Sequence, residues 1–283
     1  MAAIPDKIQT WQMVEPGKEG KPGVLQKTTI PMPELAEGDA LVEVAGCGVC
    51  HTDLGYFYDG VPTVSKPPLT LGHEIAGTVL AGPEALVGKE VIVPAVMPCG
   101  NCPICDEGRG NRCLAQKMPG NSLGMYGGFS SHIPVPAGDL CVVEDAKFPL
   151  SHYAVVADAG TTPYQAAMRA DLKQDDLVVI TGITGGVGVY MGQIAKALGA
   201  KVVVFGMQSN KYMLSKLMAF DAEIIGTWGC LPEYYPKVLE MVQDGRVQIE
   251  PFLEVKPMST IQEVFEQQHN GLFDKRQVLE PDF

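Results

Sequence analysis

The sequence predicts a chain of mixed α+β and α/β type, in which an irregular antiparallel β-barrel precedes a shortened parallel α/β domain. From Leu41 to about Val143, short β-rich runs (LVEVAG, EIAGTVL, EVIVPAV and CVVED) alternate with Gly- and Pro-rich turns, which is typical of such a barrel. From about Tyr153, a helical segment of small residues leads to the apolar strand LVVI, the turn TGITGGVG and the helical run VYMGQIAKALG. This order predicts a βα unit with a Gly-rich turn.

The second half continues this alternation of strands and helices. We expect a strand from Val202 to Phe205, a helix near Asn210 to Phe220, a strand at EIIG and a helix from about Pro232 to Asp244. The final run VQIEPFLEVKPMSTIQEVFEQQHNGL predicts a strand followed by an amphipathic helix. The predicted domains are residues 1–152, residues 153–248 and a C-terminal segment, residues 249–283, that returns to the first domain.

Composition and charge limit the class of partner. With 46% hydrophobic and 19% charged residues, the 283-residue chain can bury a substantial core. It has no run of 18 apolar residues, and its first twenty residues do not resemble a signal peptide, so we expect a cytoplasmic protein without a membrane partner. A net charge of -12 disfavours binding to nucleic acid. A small-molecule substrate and a homo-oligomeric assembly are expected.

Four of the eight cysteines lie in one short stretch, at Cys99, Cys102, Cys105 and Cys113. Four thiolates in one loop can close a tetrahedral cage without a position for water, which is the arrangement of a structural zinc site. Disulfides and unpaired core cysteines are the alternatives. The expected reducing compartment favours zinc over a disulfide.

A second set of metal-ligand residue types occurs in GVCHTD and GHE. Cys50 and His73 are suitable ligands for a catalytic zinc, which needs about three protein ligands and one open position. Asp53 could hold the other ring nitrogen of His73. On spacing alone, a buried thiol and a hydrogen-bonded core histidine are equally good interpretations.

The motifs GVCHTD and GHExxG and the four-cysteine loop, in this order, resemble the medium-chain zinc-dependent alcohol dehydrogenase superfamily. The resemblance implies a GroES-like catalytic barrel and a Rossmann-like cofactor domain, with two zinc ions and NAD as cofactors. It implies that Cys50 and His73 bind the catalytic zinc and that Glu74 can approach the metal during ligand exchange. Asp158 takes the place of the third ligand, and its alternative role is to cap a helix N-terminus.

Longer runs, among them AGCGVCHTDLGYFYDGVPTVSKPPLTLGHE and MAFDAEIIGTWGCLPEYY, resemble the family of 6-hydroxycyclohex-1-ene-1-carbonyl-CoA dehydrogenases. That resemblance implies oxidation of a ring hydroxyl to a ketone on a CoA thioester during anaerobic degradation of aromatic compounds. Thr52 would take the hydroxyl proton into a relay. Gly55 occupies the position of a relay histidine in many relatives, so His51 is the candidate substitute, or else a pyrophosphate contact.

The Gly-rich turn is the candidate cofactor site. It follows a strand and opens a helix, so its backbone can approach a pyrophosphate, and the residues concerned are Gly182, Gly185, Gly186, Val187 and Gly188. A tight strand-to-helix connection is the alternative interpretation.

The rest of the cofactor domain departs from the dinucleotide-binding pattern. The stretch from Phe205 to Asn210 has no acid for the ribose hydroxyls, and too few residues follow for a six-stranded sheet. We infer an internal deletion near Lys201 to Met207. The rival interpretations are a zinc-binding protein with an impaired cofactor site and a zinc lyase or hydratase acting on a related CoA ester.

Overall fold

The computed structural model of the chain describes residues 4–18, 21–205 and 226–283. The strands are β1 (Lys7–Glu15), β2 (Val24–Pro31), β3 (Asp39–Gly48), β4 (Leu69–Thr70), β5 (Glu74–Ala81), β6 (Glu90–Val93), β7 (His132–Pro136), β8 (Cys141–Val142), β9 (Leu177–Thr181), β10 (Lys201–Phe205), β11 (Leu253–Pro257) and β12 (Arg276–Glu280). The α-helices are α1 (His51–Phe57), α2 (Pro103–Asp106), α3 (Thr161–Arg169), α4 (Gly188–Ala197), α5 (Tyr235–Gln243) and α6 (Ile261–His269). The predicted helix near Asn210 to Phe220 and most of the EIIG strand lie outside the described residues.

The first half folds into the predicted antiparallel barrel around β3. This strand pairs with β5, β7 and β12, and the larger sheet runs in the order β11-β12-β3-β5-β6-β8. A smaller sheet, β2-β1-β4, closes one side. Because β3 is covered on both faces, its apolar residues are buried without strict alternation, and Leu41 and Val42 are both fully enclosed. The sheets begin earlier than the sequence pattern predicts, because β1 and β2 both precede Leu41.

The second half contains the predicted βα unit. Strands β9 and β10 pair in parallel, from Leu177 opposite Lys201 to Thr181 opposite Phe205, and α4 connects them. Parallel strands are usually buried on both faces. Here Ile180 is buried, whereas Leu177 and Val179 are 67% and 55% exposed. Among the described residues this sheet has two strands, so the chain combines an antiparallel β-barrel with a short parallel α/β sheet, as predicted.

The C-terminal segment completes the barrel sheet. Strands β11 and β12 are parallel and are connected through α6, and β12 lies antiparallel to β3 with Val278 opposite Gly48. This pairing brings residue Arg276 to the barrel end that carries Cys50 and Glu74. In the described part of the chain, no helix combines the length and apolar character needed to cross a membrane.

Candidate metal centres and cofactor turn

Three separate segments bring Cys50, His73 and Asp158 together. Cys50 follows β3 and caps α1, His73 lies immediately before β5, and Asp158 follows a 3₁₀ helix that ends at Ala157. The Cys50 Sγ atom is 3.6 Å from Asp158 Oδ2, and His73 Nε2 is 3.4 Å from the same oxygen. One donor atom from each of these residues and from Glu74 lies within 4.8 Å of all the others.

These distances fit a tetrahedral zinc ion. With Zn–S near 2.3 Å and Zn–N or Zn–O near 2.0 Å, tetrahedral geometry gives an S···O separation of about 3.5 Å and an N···O separation of about 3.3 Å. The observed 3.6 and 3.4 Å agree with these values. Three donors would leave a fourth position on the ion for a ligand oxygen. Residues that sequence spacing alone left ambiguous therefore form a donor set with the correct dimensions.

Asp53 fixes the positions of both neighbouring donors. Its carboxylate accepts hydrogen bonds from the N–H groups of Cys50 and Gly72, both at 3.0 Å, and its Oδ1 lies 3.4 Å from His73 Nδ1. The contact to Cys50 is half of a capping box that starts α1. Asp53 is fully buried, so one side chain holds the loops that carry Cys50 and His73.

The alternative role of Asp158 as a helix cap does not match its contacts. The N-cap of α3 is Gly160, and the helix has no side-chain cap. Among the described residues, the Asp158 carboxylate accepts a hydrogen bond from the hydroxyl of Thr162 and none from the helix backbone. Its other oxygen faces Cys50 and His73, so the carboxylate is oriented toward the donor cluster.

The charges of the cluster favour a cation. Burial lowers the pKa of the His73 imidazole, but the carboxylates of Asp53 and Asp158 outweigh this and raise it well above its ordinary value. Burial likewise opposes ionisation of Asp158, yet the contact with His73 holds the pKa of that carboxyl below its usual range. A metal ion at the same position would compete with the proton on His73.

Glu74 is paired with a residue that the sequence reading did not identify. Its carboxylate accepts hydrogen bonds from Arg276 Nη2 and, at 3.0 Å, from Arg276 Nε, and both side chains are buried. Burial disfavours the charged guanidinium, but Glu74 outweighs this and raises the pKa of Arg276 well above its ordinary value. Because the two residues are 202 positions apart, no local motif could have predicted the pair.

Thr52 and His51 differ in their relation to the cluster. The Thr52 hydroxyl is 3.6 Å from Cys50 Sγ and is half-buried. His51 is exposed at the first position of α1. The structure thus brings Thr52 beside the donors and leaves His51 at the surface.

The four cysteines of the predicted structural site converge. Their sulfur atoms are separated by 3.4 Å for Cys99 and Cys113, 3.5 Å for Cys102 and Cys105, 3.8 Å for Cys102 and Cys113, and 3.9 Å for Cys99 and Cys105. A disulfide needs about 2.05 Å, whereas the edge of a tetrahedral ZnS₄ cage is about 3.8 Å. The separations therefore match a zinc cage and exclude disulfides in this loop.

The close packing of the four thiols shifts the pKa values of Cys99 and Cys113 in opposite directions. Burial raises the pKa of Cys113, but the N–H of Cys99 donates to its sulfur and the pKa falls to about 7. The opposite holds for Cys99, where the backbone N–H of Asn101 lowers the pKa but the neighbouring sulfurs raise it to about 11. A cation at the centre of the cage would favour ionisation of all four thiols.

The Gly-rich turn has the tight geometry expected of a strand-to-helix connection. Gly182 has φ +69°, and Gly185 donates its N–H to the Gly182 carbonyl at 2.9 Å. A Cβ on Gly188 would overlap the same carbonyl, so this position requires glycine. Val187 caps α4, which begins at Gly188.

Gly186 lies against Arg276, with 2.7 Å between its hypothetical Cβ and Arg276 Nη1, so the turn is next to the buried Glu74–Arg276 pair. Most of the expected ribose-binding position, from residue 206 onward, lies outside the described residues.

Comparisons with known proteins agree with this architecture. Residues 36–145 match the family described as the alcohol dehydrogenase GroES-like domain. An alcohol dehydrogenase of Geobacillus stearothermophilus is 33% identical over 207 residues, covering 71% of this chain and 60% of the relative. D-arabinose 1-dehydrogenase (NADP(+)) of Saccharolobus solfataricus is 34% identical over 203 residues, covering 69% of this chain and 56% of the relative. This chain therefore spans about three fifths of the length of these relatives.

Solved structures share the fold at low sequence identity. The cobalt- and zinc-bound thermostable alcohol dehydrogenase of Pyrobaculum aerophilum superposes with a TM-score of 0.84 at 21% identity, covering 97% of this chain and 100% of that chain. Acetophenone reductase of Geotrichum candidum in complex with NAD gives a TM-score of 0.85 at 22% identity, covering 99% and 98%. The match to the GroES-like domain and the sequence relatives show that the chain belongs to the medium-chain zinc-type alcohol dehydrogenase superfamily.

Proposed function

We propose that this protein is a zinc-dependent oxidoreductase that oxidises a secondary alcohol to a ketone with NAD. The observation that carries the proposal is the convergence of Cys50, His73 and Asp158 at separations that suit zinc, with one position left open. The names of the sequence relatives and of the zinc- and NAD-bound structural neighbours support the same reaction class.

The donor cluster suits an alcohol hydroxyl as its ligand. A zinc ion bound there supplies a Lewis acid that makes a coordinated hydroxyl more acidic. Thr52 is close to the open position, so its hydroxyl can accept the alcohol proton and pass it outward. Asp53 keeps Cys50 and His73 in place while the proton moves. We assign His51 the outer end of this path because it is exposed at the first turn of α1.

Glu74 and Arg276 have a supporting role. The hydrogen bonds that Arg276 donates hold the Glu74 carboxylate at the donor cluster, where it would offer a further oxygen ligand to a bound zinc ion. The same arginine lies against Gly186 through its Nη1 atom, the nitrogen that does not bond to Glu74, so the ion pair also supports the Gly-rich turn. Gly182, Gly185, Gly186, Val187 and Gly188 would approach the cofactor through their backbone.

For the substrate, we propose 6-hydroxycyclohex-1-ene-1-carbonyl-CoA or a closely related CoA thioester, in the anaerobic degradation of aromatic compounds. The support is the resemblance of the long runs around Cys50 and His73 to dehydrogenases of that compound. The sequence relatives named above are described by other substrates, so this assignment depends on the runs alone. We also propose that the enzyme is a homo-oligomer acting in the reducing cytoplasm, where its cysteines stay unpaired.

Metal analysis and turnover test the reaction class together. We expect two zinc ions per chain, one in each donor group, and NAD-dependent oxidation of the alcohol. His73→Ala should abolish oxidation and remove one zinc while the fold persists, because two donors cannot hold zinc in a defined open geometry. His132→Ala, on β7, is the matched control and should retain both zinc ions. Normal activity in the His73 variant would exclude this site.

Cofactor titration separates the rival classes. Saturable quenching or enhancement of NADH fluorescence supports the oxidoreductase. Two bound zinc ions with no NADH binding would instead support a zinc-binding module, or a zinc lyase or hydratase on the same kind of CoA ester. A zinc lyase or hydratase would consume the thioester without any change in nicotinamide absorbance. A zinc-binding module would leave the thioester unchanged.

A further inference from the structure

One buried hydroxyl outside the donor cluster joins three distant parts of the chain. Tyr235 is the first residue of α5 and is fully buried. Its hydroxyl donates a hydrogen bond to the carbonyl oxygen of Ala157 at 2.7 Å and accepts one from the N–H of Ala95 at 3.0 Å. Both hydrogen bonds are long-range, spanning 78 and 140 positions.

The Ala157 carbonyl belongs to the peptide group that joins Ala157 to Asp158. Ala157 ends the 3₁₀ helix Leu150–Ala157, and Asp158 follows it with φ −139° and ψ −59°, outside helix or strand geometry. The orientation of the Asp158 side chain therefore depends on what holds the preceding peptide. Two hydroxyls do so, that of Tyr235 at 2.7 Å and that of Thr161 at 3.2 Å.

We propose that Tyr235 is a positioning residue for the carboxylate of Asp158, and that α5 thereby sets the geometry of the third metal ligand. The inference rests on the proposed function, because it takes Asp158 to bind zinc. Tyr235 acts through the backbone and does not touch the metal or the substrate. Its hydroxyl has both a donor and an acceptor role, so phenylalanine removes both hydrogen bonds while keeping the ring.

The four-cysteine site provides an internal reference. Ala95 lies four residues before Cys99, but Met97 lies between them and exchanges two backbone hydrogen bonds with Lys117, at 2.9 and 2.8 Å. This pairing anchors the loop independently of Tyr235. Loss of the Tyr235 hydroxyl should therefore affect the Asp158 site and spare the four-cysteine site.

Zinc release into a chromophoric chelator tests the inference on the full chain loaded with zinc. Asp158→Ala identifies which release phase belongs to the Asp158 site. For Tyr235→Phe we expect that phase to be about tenfold faster, as for other outer contacts of metal ligands, with the second phase unchanged. Tyr234→Phe is the matched control, because its hydroxyl makes no hydrogen bond to Ala95 or Ala157. Thr161→Val, which removes the longer hydrogen bond to the same carbonyl, should give a smaller increase.

Cobalt substitution adds a readout of ligand geometry. The visible spectrum of the Asp158-dependent cobalt site should shift in Tyr235→Phe and not in Tyr234→Phe. Equal acceleration of both release phases, or an unchanged Asp158 phase in Tyr235→Phe, would overturn the positioning role while leaving the proposed function intact. Absence of any Asp158-dependent phase in the wild-type chain would overturn the proposed metal site and this inference with it.

Discussion

Thr52 is the residue whose role can be separated most cleanly from metal binding. Its hydroxyl lies beside Cys50 Sγ, yet it belongs to neither of the two donor groups. We predict that Thr52→Ala lowers turnover by about a hundredfold, the usual contribution of a positioned proton-transfer group, and leaves zinc content unchanged. Thr52→Ser keeps the hydroxyl and should retain most of the activity. Steady-state kinetics and metal analysis of the same samples decide; equal activity of the two variants would contradict the relay.

The buried Glu74–Arg276 ion pair is expected to contribute to the free energy of unfolding. Removing one partner of a buried ion pair leaves the other charge uncompensated, and this costs about 3–5 kcal/mol. Arg276→Met should therefore lower the free energy of unfolding in urea by about this amount. The double variant Arg276→Met with Glu74→Gln should recover part of the loss, because no buried charge remains. A single variant as stable as the wild type would show that water reaches Glu74.

At the scale of elements, the four-cysteine loop is expected to serve folding more than chemistry. It contains α2, a helix of four residues that is too short to be stable alone, so its shape depends on what its cysteines bind. Cys102→Ser should lower the thermal midpoint and the zinc content to one per chain, while turnover per remaining zinc stays near normal. Cys141→Ser in β8 is the control, since that thiol belongs to neither donor group. Loss of turnover without loss of stability would contradict a structural role.

The strand–turn–helix unit β9–α4 has its own test. Because a Cβ on Gly188 would overlap the Gly182 carbonyl, Gly188→Ala should force the turn open and weaken NAD binding, with both zinc ions retained. Gly138→Ala, where a Cβ meets no atom within 4 Å, is the control. Calorimetric titration with NAD measures both variants. Equal affinities would show that the cofactor does not depend on this turn.

At the scale of the whole molecule, the shortened cofactor domain has a measurable consequence. The described part of its sheet has two strands, and the position expected for the ribose carboxylate carries no acid in the sequence. We therefore expect NAD to bind at least about tenfold more weakly than to a full-length relative, a loss of about 1.4 kcal/mol. Zinc occupancy should be unaffected, because every donor precedes residue 201. Calorimetry on both proteins tests this, and equal micromolar affinity would show that further sheet strands are dispensable for NAD binding or that a partner subunit supplies them.

One face of strand β9 carries exposed apolar side chains. Leu177 and Val179 are exposed on a parallel strand, where such residues are normally covered. The alternation of strand and helix in the sequence predicts the parallel pairing correctly, because apolar strands and Gly-rich turns are local patterns. How many strands complete the sheet is a global property that no local sequence pattern encodes.

The sequence alone determined those features that are encoded by residues close together in the chain. The four-cysteine loop, the turns of the barrel and the Gly-rich turn are each encoded within about fifteen residues, so their spacing predicts their form. The sequence pattern does not predict strands β1 and β2, because their side chains alternate only partly. They are held in a sheet in which β1 pairs with both β2 and β4. The sequence leaves Asp158 open between a metal ligand and a helix cap, because either role suits an aspartate that precedes a helix.

Only the tertiary structure decided which distant groups meet. It brings Asp158 to Cys50 across 108 positions, Arg276 to Glu74 across 202, and Tyr235 to Ala157 across 78. Each contact joins groups from segments whose local sequences have no periodicity or motif in common. A buried carboxylate, guanidinium or hydroxyl is stable only with a partner, and the partner is chosen by the packing of strands and helices rather than by neighbours in the chain.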